Sequence, residues 1–514
     1  MRPRLLDLAL VLTGGMLYAA AFPPYGQDAS AWIALVPLLA VLSRASAGGA
    51  FLAGAVYGAV FFAAVVPWVV GAVAAYFTAG IVAATAFGAL ICALFVSGWV
   101  GLFAVAARTL LRRGRWHALL GIPALWVAYE LARATLFTGL PWELLGHSQW
   151  QRLPLIQVAD LGGVYALSFV IAAVNVGVYL AVRTATRTAR PRRLARAAAP
   201  LAVALALVAS CIVYGDWRIA RTTETSPRDT AILALVQGDL PSSWRWERSN
   251  AERNLLAYVG LSRRTIAESH PDLLVWPEYA LTFYPERDAG LLTALRELAH
   301  RTPAGLIFGA PRVAEEPSHT RYFNSAYHIA AAGSVTTYDK IRLVPFAEYR
   351  PLTFNEALAA DSDSEFSAGA ESTVFPTAAG RVGVLICYEV IFPDLARRLT
   401  RAGAEILLNL SNDGWLDRAG LGAGIQHLSI AVFRAVENHR FVARAAASGI
   451  SGFIDPVGRP FGMLDADRSG VAIGEVSPRR ELSLYTRVGD GFGVACALLG
   501  LALVLPRRRA RRDV

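Results

Sequence analysis

The 514-residue sequence predicts an α-helical bundle of eight transmembrane spans carrying one extracytoplasmic α/β domain, and three observations predict it. First, the chain is 55% hydrophobic and only 17% charged, against about 25% charged in an average soluble domain. Second, its apolar residues gather into runs near the length that crosses a bilayer as a helix, about 20 residues. Third, its net charge of +10 is unevenly placed. Residues 215–486 hold 28 basic and 32 acidic side chains, which leaves 21 basic and 7 acidic for the apolar remainder. A disordered chain would be poor in apolar residues and highly charged. A nucleic-acid enzyme would carry its positive charge on its large soluble part. Both are excluded, so the expected partner is the membrane and no nucleic acid.

Seven spans are expected before residue 215, at about 5–22, 31–45, 49–72, 78–107, 117–134, 162–182 and 197–214, and an eighth at about 488–506. The small residues Ala19, Ala20 and Ala21 would also suit a cleaved leader. Further spans follow at once, which favours an uncleaved first helix. Arginine placement tests the count. Of the 21 basic residues outside 215–486, all but Arg133, Arg152 and Arg487 fall on one side if the chain crosses eight times. Positively charged loops stay in the cytoplasm. Both termini are therefore expected in the cytoplasm, with residues 215–486 outside it. The expected domains are residues 1–214 (seven spans), 215–486 (catalytic domain) and 487–514 (eighth span and basic tail).

The outside segment can bury a core of its own. Strand-like apolar runs occur at Ala231–Val236, Leu273–Trp276, Leu306–Phe308, Val382–Ile386 and Ile406–Leu410. Helical stretches lie between them at Ala251–Glu268, Ala289–His300 and Gln426–Asn438. Residues 359–372 read as a mobile polar loop.

Cys92, Cys211 and Cys496 fall in expected spans and read as apolar filler. Cys387 is the only cysteine of the outside domain. It ends an apolar strand, and Pro393 marks a helix start soon after. A thiol near backbone N–H groups and a helix N-terminus is expected to have a lowered pKa. A nucleophile also needs a base and an oxyanion partner. Glu278 ends the strand Leu273-Leu-Val-Trp-Pro-Glu278. Lys340 ends Val335-Thr-Thr-Tyr-Asp-Lys340 and is the single lysine among 49 basic residues. A site that needs a compact ammonium resists replacement by Arg. The three can meet at one sheet edge, where open α/β sheets bind ligands. Glu278 would take the thiol proton, while Lys340 and the Tyr388 N–H would hold the oxyanion. His427 and His439 offer a rival Cys–His pairing. No metal-ligand spacing and no Gly-rich phosphate loop is present, so no metal or other cofactor is expected. The Gly-Gly pairs at 14–15 and 48–49 read as close helix packing.

Glu, Lys and Cys within Trp276-Pro-Glu278, Tyr338-Asp-Lys340 and Ile386-Cys-Tyr-Glu389 resemble the nitrilase, or carbon–nitrogen hydrolase, superfamily. With eight spans around them, the resemblance narrows to the apolipoprotein N-acyltransferase family. It rests also on Phe22-Pro-Pro-Tyr25, Pro141-Trp-Glu-Leu-Leu-Gly146, Val236-Gln-Gly-Asp239, Tyr338-Asp-Lys-Ile-Arg-Leu-Val-Pro-Phe-Ala-Glu348, Ser411-Asn-Asp-Gly-Trp415 and Gln426-His427. The family's usual SNDAWFG block departs here at Gly414 and Leu416.

The resemblance implies a nitrilase-like αββα sandwich, with Glu278 as base, Lys340 as oxyanion stabiliser and Cys387 as nucleophile. It implies Glu348 as a supporting carboxylate, and Tyr388, Glu389, Trp246 and Trp415 around the substrate cleft. It further implies a two-step transfer. Cys387 takes an acyl chain from a phospholipid donor as a thioester, then passes it to the amine of a diacylglyceryl apolipoprotein. Each buried CH₂ is worth about 0.8 kcal/mol, so the cleft is expected to open at the membrane surface. Trp142, Trp150, Trp244, Trp246 and Tyr284 are candidate interfacial or acyl-contacting aromatics. Loops near 359–372 and 415–424 are expected to be mobile. A membrane-anchored amidase using water as acceptor shares the same triad, although eight spans are excessive for an anchor. A transporter or receptor is disfavoured by the few charges inside the spans.

Overall fold

The computed structural model describes residues 2–76, 80–186, 191–224, 230–240, 248–317, 320–349, 365–415 and 422–505. The chain divides into two compact units. One comprises Met1–Val70, Gly80–Asp216 and Asp490–Val514, the other Gly71–Ala79 and Trp217–Gly489.

The first unit is helical, and each expected span contains helix. Four helices are long and apolar enough to cross a membrane: Ala47–Val65, Ile81–Arg113, Val164–Ala185 and Ala198–Thr222. Two others are short. The 31–45 span resolves into a 3₁₀ turn, Asp28–Trp32, and an eight-residue helix, Leu35–Leu42. At 1.5 Å per residue that helix is about 12 Å long, against roughly 30 Å of hydrocarbon. A buried Asn175 stitches the break: its Nδ2 donates to the Ala31 carbonyl at 2.9 Å, and its Oδ1 accepts from the Leu35 N–H at 2.8 Å. Helix Gly491–Val504 is likewise only 14 residues. The 49–72 run is interrupted at Pro67, which brings no N–H to the helix ladder.

The two Gly-Gly pairs behave differently. A Cβ at Gly15 would lie 2.9 Å from Val60, so that pair does permit close packing of Arg2–Ala20 on Ala47–Val65. A Cβ at Gly48 would meet nothing within 4 Å, and one at Gly49 only the neighbouring Ser46 and Ala45, so the second pair packs against no other helix. Trp142 is buried against Trp68, with ring centroids 5.1 Å apart.

The second unit contains two six-stranded sheets. Its strands are β1 (Ala231–Gln237), β2 (Leu273–Val275), β3 (Leu306–Glu315), β4 (Thr320–Ile329), β5 (Val335–Asp339), β6 (Val374–Thr377), β7 (Gly380–Ile386), β8 (Ile406–Ser411), β9 (Phe441–Ala446), β10 (Ser451–Ile454), β11 (Pro460–Leu464) and β12 (Gly470–Val476). One sheet runs β12-β1-β2-β3-β4-β5, the other β11-β10-β9-β8-β7-β6. Alternation along β1 shows the layering. Leu233 and Leu235 join Val382, Val384, Ile406 and Leu408 in a core between the sheets. Ala234 and Val236 instead meet Tyr258, Leu291 and Leu295 from helices Arg248–Ser269 and Ala289–Ala299. Helices Pro393–Arg401 and Ala423–Asn438 follow β7 and β8, respectively. The strand ladders β1–β2–β3 and β7–β8–β9 are parallel, so the loops after β2, β7 and β8 leave from like ends of their sheets.

Candidate active site

Glu278 follows β2. Trp276 anchors the strand end: its N–H donates to the Ile307 carbonyl at 2.8 Å, and its indole donates to Ser262 at 2.9 Å. The next residues cross directly over Gly309, where a Cβ would lie 2.6 Å from the Glu278 Cα. Only glycine lets this backbone pass so closely. Lys340 follows β5. Arg312 grips the preceding Asp339 through two hydrogen bonds, at 2.8 and 2.6 Å, and so fixes where the strand ends.

The structure brings Glu278, Lys340 and Glu348 together. Lys340 Nζ donates to Glu278 Oε1 at 3.1 Å and to Glu348 Oε1 at 2.9 Å. A fourth residue, Asn324 on β4, is part of the same group. Its Nδ2 donates to Glu278 Oε1 at 2.8 Å and to Glu348 Oε1 at 2.7 Å. Glu348 Oε2 accepts from the Val344 N–H at 2.7 Å, which closes the Val344–Glu348 turn around its own carboxylate. Glu278, Lys340 and Asn324 are all buried. Burial raises the Glu278 carboxyl above its ordinary value, the Lys340 ammonium opposes this, and the Glu348 charge adds to the rise. Burial alone would lower Lys340, but Glu278, Glu348 and the Cys387 sulfur together hold its pKa above the ordinary value. The lysine is therefore a fixed cation shared by two carboxylates.

Cys387 stands at the end of β7, in the left-handed region at φ 49°, and is 2% exposed. For a non-glycine residue that conformation costs about 1–3 kcal/mol and persists only where its surroundings hold it. Glu389 holds one side. It is fully buried, and its carboxylate accepts from the N–H groups of Ile386 (2.7 Å), Ile341 (2.7 Å) and Arg342 (3.1 Å) and from the Tyr338 hydroxyl (2.8 Å). Glu389 thus ties the cysteine turn to the lysine segment. Burial pushes its carboxyl up to about 6, and the Ile386 and Arg342 N–H groups resist that rise.

The thiol departs from the sequence expectation. Its pKa is raised, not lowered: burial is the largest cause and Glu278 adds to it, while Lys340 opposes it. The helix beyond it begins only at Pro393, after a short 3₁₀ turn, Cys387–Ile391. Helix-end stabilisation fades within one turn, so desolvation wins. The resting group is a thiol, and it could act as a nucleophile only if a base removed its proton.

A second buried cluster meets the Cys387 carbonyl. Asn409 Nδ2 donates to it at 3.3 Å, and His427 Nε2 lies 3.1 Å from it. Arg444 Nη1 donates to Asn409 Oδ1, and its Nη2 donates to Asp413 Oδ2. Arg444 Nη2 is also 3.1 Å from His427 Nδ1. Burial and Arg444 lower the His427 pKa, so the ring is neutral. Burial alone would raise Asp413, but Arg444 and His427 hold its carboxyl well below the usual range. The Cys–His pairing read as a rival in the sequence is thus a contact to the backbone carbonyl. His439 lies elsewhere, with Arg218 2.7 Å from its Nδ1.

Tyr388 is half-buried, edge-on to Phe392 at 5.1 Å. Trp415 ends the 3₁₀ turn Asp413–Trp415. Trp244, Trp246, residues 359–364 and residues 416–421 lie outside the described residues. Asn324, Asn409 and Arg444 were missed by sequence reasoning. Each is a polar residue in the middle of a strand, and that placement is the only signal that could have found them. Among the described residues no group of three or more His, Cys, Asp or Glu side chains could hold a metal ion.

Comparison with known proteins gives a consistent result. The family model described as apolipoprotein N-acyltransferase N-terminal domain matches residues 14–177. The one described as carbon-nitrogen hydrolase matches residues 232–482, which span both sheets. The chain is 35% identical to an apolipoprotein N-acyltransferase of Geobacter metallireducens, over 99% of this chain and 96% of that one. It is 32% identical to one from Pseudomonas paraeruginosa, over 97% and 96% respectively. For a Pseudomonas aeruginosa relative of the same name the identity is also 32%, over 96% and 95%.

Proposed function

The chain belongs to the apolipoprotein N-acyltransferase family, and we propose that it moves a fatty acyl chain from a phospholipid to the N-terminal amine of a diacylglyceryl-cysteine lipoprotein. The observation that carries this reading is the buried Glu278–Lys340–Glu348 group, of which Glu278 and Lys340 act electrostatically on the Cys387 sulfur. In the first step Glu278 takes the thiol proton as the sulfur attacks the ester carbonyl. Lys340, whose third N–H remains after it serves two carboxylates, and the Tyr388 N–H receive the oxyanion. The C–O bond breaks, and Glu278 returns the proton to the departing lysophospholipid. In the second step the lipoprotein amine attacks the thioester. Glu278 takes its proton and passes it to the leaving sulfur, so an amide and the free thiol result. The raised Glu278 pKa suits a group that must both take and return a proton. Glu348 holds Lys340 in place, and Glu389 braces the turn that carries Cys387. Trp246, Tyr388 and Trp415 are assigned to the walls of the substrate cleft.

The chain is a membrane protein. Its proposed arrangement is eight crossings of the inner membrane with both termini cytoplasmic, residues 1–214 and 487–514 forming the bundle and 215–486 the periplasmic catalytic domain. A carbonyl-reactive site next to lipid suits a donor whose chain is costly to expose to water.

The test uses the full chain in vesicles with isotope-labelled phospholipid and a diacylglyceryl peptide. The expected result is a Cys387 peptide heavier by one acyl chain, chased to N-acylated peptide when the acceptor is added, and absent from Cys387→Ala. Product formation by Cys387→Ala, or release of free fatty acid with no acylated amine, would overturn the proposal; the second outcome describes an amidase-like hydrolase.

A further inference from the structure

The left-handed backbone at Cys387 places one peptide group, Cys387–Tyr388, under unusual control. Its carbonyl accepts two side-chain hydrogen bonds, from Asn409 Nδ2 at 3.3 Å and His427 Nε2 at 3.1 Å. Both donors are fully buried, as is Arg444 behind them. Strand register produces this alignment. Leu385 on β7 pairs with Asn409 on β8, and Asn409 pairs with Arg444 on β9, so side chains at those positions share one sheet face. Asn409 Nδ2 also donates to the Leu385 carbonyl at 3.2 Å, so the amide bridges the residues on either side of Ile386.

Hydrogen-bond logic fixes each orientation. Arg444 can only donate, so the Asn409 atom facing it is Oδ1, which turns Nδ2 towards Cys387. His427 Nδ1 faces Arg444 Nη2 at 3.1 Å and, farther off, Asp413 Oδ1 at 3.4 Å; the nearer arginine can only donate, so Nδ1 accepts from it. A carbonyl can only accept, so the single proton of this neutral ring sits on Nε2. Asp413 neutralises Arg444 and accepts from Ser411 at 2.7 Å. One arginine thus aims two donors at one carbonyl.

We propose that Arg444, Asn409 and His427 are positioning residues for the oxyanion site: they clamp the Cys387 carbonyl and so set the plane and polarity of the peptide whose N–H, on Tyr388, receives the oxyanion. The inference rests on the acyl-enzyme reading above. A peptide that accepts two hydrogen bonds in a dry interior is polarised, which makes its N–H the stronger donor. The clamp also pins a strained residue that would otherwise relax towards negative φ and swing the N–H away. None of the three touches substrate; they act through the backbone.

The experiment compares two reactions of the same sulfur in the full-length protein. Acylation by phospholipid builds an oxyanion. Alkylation by iodoacetamide forms an S–C bond and expels iodide without one. For His427→Leu we expect acyl-Cys387 formation in a single turnover to fall about 10²-fold, the effect of losing an oxyanion donor, while alkylation stays within about twofold of wild type. His427→Gln, which keeps an uncharged N–H donor, should recover most of the acylation rate. Arg444→Lys, which lacks the planar fork, should resemble His427→Leu. Unchanged acylation in His427→Leu overturns the proposal. A parallel fall in acylation and alkylation also overturns it, because the clamp would then act on the thiol or on general packing. A Gln variant no better than Leu overturns it too. Wild-type protein that is alkylated normally yet never forms acyl-Cys387 overturns the acyl-enzyme reading itself, and the clamp with it.

Discussion

Two buried polar clusters meet at Cys387, and they are built on opposite principles. Glu278, Glu348, Lys340 and Asn324 set two carboxylates against one cation, so the group carries an excess negative charge beside the sulfur. Asp413, Arg444, His427 and Asn409 set one anion against one cation, with a neutral ring and an amide. In the first cluster a carboxyl pKa is raised; in the second the acid is held low and the histidine is kept neutral. On the proposed mechanism, the difference separates groups that must change protonation state during the reaction from groups that must not. A proton carrier is left imperfectly compensated, whereas a scaffold is balanced.

Lys340→Met attacks this contrast where it is strongest. It leaves two carboxylates with no cation and deletes the proposed oxyanion donor. We expect acyl-enzyme formation to fall by about 10³-fold and stability in detergent by about 3–5 kcal/mol, read by single-turnover labelling and thermal unfolding. A loss below tenfold would mean that the lysine serves packing alone.

Asp413→Asn should act mainly on stability, because Arg444 keeps its charge and loses its anion. The expected cost is about 3–5 kcal/mol. Its pH dependence has a definite sign. The Asp413 carboxyl is depressed in the folded state below an unfolded value near 3.9. Its stabilisation is therefore fully present above about pH 4 and lost as pH falls through the depressed native value. Unfolding followed from neutral pH into acid should show the wild type losing this increment and the variant changing less. Parallel curves would mean that Asp413 is not the balancing charge.

Asn324→Leu should give the smallest effect and the sharpest distinction. The Asn324 amide lowers the Glu278 pKa, so its removal raises that pKa further. The ionised base is then lost at a higher pH on acidification. One hydrogen bond to a charged group corresponds to a displacement of about one pH unit in the acid limb of acyl-enzyme formation. His427→Gln should leave that limb in place. If both variants move it equally, the division between the clusters fails.

The two clusters also differed in how visible they were in the sequence. Glu278 and Cys387 follow apolar strands, and a polar residue just past a buried strand stands out; Lys340 follows the polar, largely exposed Val-Thr-Thr-Tyr-Asp and stood out as the single lysine. β1, β2, β7 and β8 were recognisable because buried parallel strands read as continuous apolar runs. β4, Thr-Arg-Tyr-Phe-Asn-Ser-Ala-Tyr-His-Ile, mixes polar and apolar residues on both faces, so neither it nor Asn324 could be read. Arg444 sits among alanines on β9, and its meaning depends on Asn409 on the next strand, a pairing no local pattern encodes. The raised thiol pKa was misjudged for a related reason, since local position suggested a helix end while burial came from distant segments. In the membrane unit, composition located the helical segments. It did not reveal the break before Leu35, which Asn175 stitches from a helix more than a hundred residues away.

The pairing of β1 with β12 has a consequence for the chain's history and for engineering. Ala231 lies opposite Val476 on adjacent antiparallel strands, so the second unit's sheet begins and ends about 5 Å apart. A module whose entrance and exit coincide can be excised, or spliced into a foreign loop, with a joint of a few residues. The β1–β12 segment therefore has the architecture of an insert, while Gly71–Ala79, which groups with the same unit, would stay behind in the host.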